Sequence, residues 1–173
     1  MREVLLDTHI ILWSLFETEK LNKKIVDILK DAHNEIFYSI ASMWEVSIKH
    51  NLNKLPLSGT EFMHYCEQAG FKKLEIDDRH IVALETLEVK KGQQAHKDSF
   101  DKLLISQAKA DAMNFITHDE KFAAYDEPNV WIVKKKSARW EEIIMPTWGF
   151  RGGRALSCDR QQGYLWEALT FRR

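Results

Sequence analysis

Five short apolar runs, separated by segments of helical period, dictate most of what the first 133 residues can become. Residues 3–7 (EVLLD), 35–39 (EIFYS), 71–76 (FKKLEI), 114–117 (NFIT) and 130–133 (VWIV) read as strands. Between them, Leu21, Ile25, Ile28 and Leu29 repeat at helical spacing over 21–32. Ser39 stands where a cap would open a helix over 40–51, and Pro56, Ser58 and Gly59 mark a loop before a helix over 60–69 that stops at Gly70. Asp77 and Asp78 open another helix, to about Leu87. Residues 99–112 carry Phe100, Leu103, Leu104, Gln107 and Ala108 at three-to-four spacing, the clearest helix of the chain. Residues 8–20 carry no assigned element. Strand and helix in alternation predict an α/β fold, a mainly parallel central sheet flanked by helices.

In such a sheet, sites form outside the carboxyl ends of the strands, so the acids that fall there matter. Asp7 follows the first strand. Glu45 lies in the helix after the second, within SMWEVSIKH. Asp98 and Asp101 bracket the start of the strongest helix, in HKDSFDKLLISQA. Asp119 follows the fourth strand, in FITHDEKF. Each has an ordinary explanation. Asp7 can satisfy a turn, Glu45 can face solvent, Asp98 can cap a helix with Asp101 completing a capping-box-like pair, and Asp119 can cap the short stretch EKFAAY. What those explanations do not predict is their joint placement. Carboxylates brought together repel unless protonated or bound to metal, and hard oxygen donors without cysteine suit Mg²⁺ or Mn²⁺.

Charge narrows the class further. Residues 1–133 hold 16 Lys+Arg against 22 Asp+Glu, a balance of −6, whereas residues 134–173 hold 9 against 4, a balance of +5. The first part is no basic nucleic-acid sponge, and to act on a polyanion it needs cations from metal or partner. No apolar run reaches the ~18 residues of a membrane span. The start of the chain leads into a strand rather than a signal peptide. The two cysteines, Cys66 and Cys158, form no metal or disulfide spacing. A cytoplasmic protein with no membrane association is the expectation. Beyond Val133 the pattern breaks down: three of six tryptophans and four of seven glycines crowd into 40 residues without period. Residues 134–173 are therefore set apart as an atypical C-terminal tail of unknown role.

The segments VLLDTHIILW, SIASMWEVSIKHN, HKDSFDKLLISQA and FITHDEKFAAY resemble, in order and spacing, a PIN-domain ribonuclease, and within that family the VapC toxins of bacterial toxin–antitoxin pairs. The resemblance covers residues 1–133 and implies a PIN-like three-layer fold. It also implies that Asp7, Glu45, Asp101 and Asp119 are catalytic and hold Mg²⁺ (or Mn²⁺). Thr8, Asp98 and His96 would support them, His96 more by structure than by ligation. Ser99 stands where the family often has proline, a tolerable exchange at a helix start. His118 gains no clear role from the resemblance, and His9 could contact a partner or an RNA phosphate. Trp13, Trp44 and Phe100 are expected in the core or a partner groove.

The implied activity is metal-assisted hydrolysis of RNA phosphodiester bonds. The implied partners are RNA and a small cognate antitoxin, with a homodimer or a toxin–antitoxin hetero-oligomer as the assembly. Two alternatives stay open. One is a catalytically inactive PIN-like interaction module. The other is a receiver-like phosphoacceptor domain, which also uses strand-end carboxylates but wants paired acids before its first helix. A haloacid-dehalogenase reading fails because DTH lacks the required DxD.

Overall fold

The computed structural model describes residues 2–94 and 97–134. The proposed tail therefore lies outside the described residues, save Lys134, as does His96. The described part contains five strands: β1 (Arg2–Leu6), β2 (Asn34–Ser39), β3 (Lys72–Leu74), β4 (Asn114–Thr117) and β5 (Val130–Ile132). Six helices accompany them: α1 (Thr8–Phe16), α2 (Lys23–Lys30), α3 (Ile40–Asn51), α4 (Gly59–Gln68), α5 (Asp78–Glu85) and α6 (Ser99–Ala110). All strand pairs are parallel, in the order β3-β2-β1-β4-β5. That order departs from the 2-1-3-4-5 of the flavodoxin-like fold to which response receivers belong, and it removes the phosphoacceptor alternative.

β1 is the central strand. Val4, Leu5 and Leu6 are all fully buried, as expected of a parallel strand covered on both faces. From β1 the chain winds outward to β2 and β3, then returns across the sheet to β4 and β5. Parallel strands joined by right-handed crossovers carry their connecting helices on one face along the outward path and on the other along the return. The reversal falls between β1 and β4, which makes their carboxyl ends the switch point where such sheets bind ligands. Register fixes that junction: Leu6 pairs with Ile116, and the Asp7 N–H donates to the Ile116 carbonyl at 3.0 Å.

One element was not legible in the sequence. α1 follows β1 at once, with Asp7 as its cap. Ile10, Ile11, Trp13, Ser14 and Leu15 are all buried there, so a helix apolar nearly all round shows no amphipathic period. The expected elements otherwise hold, with ends shifted by a residue or a few. Gly70, at φ +76°, closes α4 in the left-handed region that glycine adopts without penalty. At Gly59 an added Cβ would meet the Ser47 hydroxyl where α4 packs against α3, so a larger residue there requires that side chain to move. Among the described residues, no helix is long and apolar enough to cross a membrane.

The candidate acidic site at the β1–β4 switch point

Asp7 answers two demands at once. It is 3% exposed, and its Oδ1 accepts from the His9 N–H at 3.4 Å, which starts α1. Its Oδ2 accepts from the Thr117 hydroxyl at 2.6 Å. The same Thr117 oxygen accepts from the Asp119 N–H at 3.0 Å. One buried hydroxyl at the end of β4 thus ties the first strand's acid to the fourth strand's. Asp119 in turn caps the 3₁₀ turn Glu120–Ala124 by accepting from the Lys121 N–H at 2.9 Å. Burial raises the Asp7 carboxyl above the usual range, against the lowering effects of the Thr117 bond and of nearby His9 and His118.

The remaining acids arrive from helices. Asp98 is the cap of α6 and accepts from the Phe100 N–H at 2.8 Å; the capping duty foreseen for it is real. Asp101, one turn further, is half-buried. Burial pushes its carboxyl up to about 7, and the negative charges of Asp7, Asp98, Glu45 and Asp119 add to the rise. Glu45 sits in the second turn of α3, bonded to Lys49 at 2.5 Å. All five acids line one open cavity of about 360 Å³, joined by His9, Phe100 and His118 and, from α3 and the loop after it, by Lys49 and Lys54. The structure therefore brings together Asp7, Glu45, Asp98, Asp101 and Asp119.

Thr8 does not point its bond at this cavity: its hydroxyl donates to Ser42 Oγ at 2.9 Å and ties α1 to α3, both groups buried. Of the three aromatics, Trp13 is core at 9% exposure, whereas Trp44 is 55% exposed on the rim and meets half-buried Phe100 edge-on at 4.9 Å. Sequence reasoning passed over His118. It packs against Trp13 with ring centroids 4.5 Å apart and against His9 at 5.1 Å, and its Nδ1 lies 3.8 Å from Asp7 Oδ2. The rule that singled out Asp119, a polar residue directly after a strand at the switch point, would have singled out His118 as well.

The donor set fits a divalent cation. Five carboxylates converge on one pocket, and the pull of four of them on Asp101 records mutual repulsion that a cation relieves. A group of three ligating atoms, one each from Asp7, His9 and His118, lies within 4.8 Å of one another.

A family model described as PIN domain matches residues 4–128. No curated protein sequence matches the chain. Among solved structures, the fold is similar to VapBC2 from Rickettsia felis bound to a DNA fragment from their promoter, with a TM-score of 0.57 and 16% identity over 78% of this chain and 99% of that one.

Proposed function

The chain belongs to the PIN-domain family, and from that premise we propose that it is a divalent-metal-dependent endoribonuclease, the VapC-type toxin of a toxin–antitoxin pair. One observation carries the reading: Asp7, Glu45, Asp101 and Asp119 line a single cavity at the switch point of the sheet. Mg²⁺ or Mn²⁺ bound there supplies Lewis-acid polarisation of a phosphodiester and offsets the charge that acids present to RNA. Asp7, held in place by Thr117 and its own helix, is the fixed donor. Asp101 offers a carboxylate that exchanges its proton near neutrality. Glu45 and Asp119 flank the two, and Asp98 keeps the α6 turn that presents Asp101. Lys54, at the cavity edge, is placed to meet a substrate phosphate, a contact that positions RNA without reading its sequence.

The partner is a small antitoxin with a basic segment, complementary to the −6 balance of residues 1–133. It seats against the apolar rim of α3, where Trp44, Ile48 and Leu52 are exposed at spacings of four, in a toxin–antitoxin hetero-oligomer. The test is cleavage of RNA by the purified full chain with and without Mg²⁺ or Mn²⁺. Cleavage that requires the ion supports the nuclease. Ion binding with no cleavage of any RNA would favour the interaction-module alternative.

A further inference from the structure

The cavity holds more than acids. We infer that His9 and His118 join Asp7 as ligands, so that the ion at the switch point is a borderline first-row transition metal held partly by nitrogen, in preference to Mg²⁺. The inference rests on the metal-binding reading above and narrows it. His9 comes from the first turn of α1 and His118 from the residue after β4, so both imidazoles come from the elements that meet Asp7 at the β1–β4 junction. Glu45 and Asp101 approach from α3 and α6.

Two separations support it. Two donors each about 2.1 Å from one ion can be at most about 4.2 Å apart. His118 Nδ1 and Asp7 Oδ2 are 3.8 Å apart, inside that limit and beyond hydrogen-bond reach. The three ligating atoms of Asp7, His9 and His118 fall within 4.8 Å of one another, and His9 is an exposed side chain that can swing inward the last few tenths of an ångström. The supports for such a site are also present. Thr117 donates to Asp7 Oδ2 and orients the carboxylate, the outer bond that ligating acids use. The Trp13 ring against His118 holds that imidazole over the cavity. Imidazole suits zinc, copper, iron and nickel, whereas Mg²⁺ prefers oxygen and keeps its waters. The edge-on and tilted packing of the His9, His118 and Trp13 rings by itself would not bring the ligating atoms toward the buried Asp7 carboxylate.

The experiment uses the full chain, stripped with a chelator, then titrated separately with Zn²⁺, Co²⁺, Mn²⁺ and Mg²⁺ by calorimetry, with the visible absorption of Co²⁺ as a ligand-field readout. His9→Ala and His118→Asn are titrated alongside, each with a thermal melt. The expected result is a Co²⁺ spectrum altered by either substitution, with Zn²⁺ and Co²⁺ affinity falling roughly tenfold or more while Mg²⁺ affinity barely changes. Because His9 is exposed, its variant probes ligation without disturbing the core. If Mg²⁺ and Zn²⁺ both bind and neither substitution moves Zn²⁺ affinity or the Co²⁺ spectrum, this inference is overturned and the acid-only metal site stands. If no ion binds at all, both fail.

Discussion

Two of the histidine–aspartate clusters among the described residues are put together in opposite ways. In the first, His80 is 2% exposed between Asp77 and Asp111. Its Nδ1 accepts from the Asp77 N–H at 3.1 Å, closing a capping box at the start of α5, and its Nε2 bonds Asp111 Oδ2 at 2.9 Å. Arg79 bridges both acids, at 2.7 Å and 3.3 Å, and lowers the Asp77 carboxyl. Every charge there has a protein counterion and each ring nitrogen a bond, so the cluster ties α5 to the end of α6. In the second, Asp7, His9 and His118 meet at an open cavity whose other charged walls are mostly acids, and burial raises Asp7 rather than lowering it. The same residue types thus serve as a clasp where the fold supplies the counterion, and as a candidate ligand set where it leaves the counter-charge to come from solution.

Removing a member from each cluster should separate the two most sharply. Asp7→Asn keeps the shape but loses an anionic donor, and RNA cleavage should fall roughly a hundredfold or more, while the melting temperature of the metal-free protein holds or rises because a buried charge is gone. Full activity in a folded Asp7→Asn protein would contradict the site. His80→Ala should do the reverse. Loss of its packing and of the Asp111 bond should cost about 2 kcal/mol or more of stability in a denaturant titration, with metal affinity per folded molecule unchanged.

The next effect is a pH dependence. Asp101 is raised to about 7 from an ordinary value of 3.8, chiefly by burial and then by its acidic neighbours. Between those values the folded chain binds a proton that the unfolded chain has released, so this group makes stability fall as pH rises from about 4 to about 7. Thermal melts of the chelator-treated protein across that window should show the decline. It should shrink in Asp101→Asn and shrink again when a saturating divalent ion is added to the parent. A pH-independent difference between Asp101→Asn and the parent would mean that neither burial nor the neighbouring carboxylates raise Asp101 in the folded chain.

The smallest expected effect is that of removing residues 136–173. The sheet ends at Ile132, Val133 is buried, and Asn22 Nδ2 holds the Lys134 carbonyl at 2.9 Å. A chain ending at Lys135 should melt cooperatively within a few degrees of the parent, with at most a salt-sensitive loss of RNA affinity from the missing +3 balance, 7 Lys+Arg against 4 Asp+Glu in residues 136–173. Aggregation of that fragment would move the domain boundary.

Much of this was written in the order of residue types. The run Val4-Leu5-Leu6 identifies a strand buried on both faces because only such a strand lacks polar alternation. The three-to-four spacing from Phe100 to Ala108 identifies α6, and the acids after strands and at helix starts mark one end of the sheet. α1 escaped because a helix without a polar face leaves no period to read. Strand order escaped too: nothing local says that β4 returns beside β1 rather than beside β3, and it is that return which sets Thr117 against Asp7 and brings His118 to His9. The sequence by itself determined which side chains can carry charge at the carboxyl edge. Only the tertiary structure decided which would be neutralised and which left facing one another. Counterions such as Arg79 are supplied by contacts across the fold, and a carboxylate's affinity for protons or metal depends on its neighbours in space rather than along the chain.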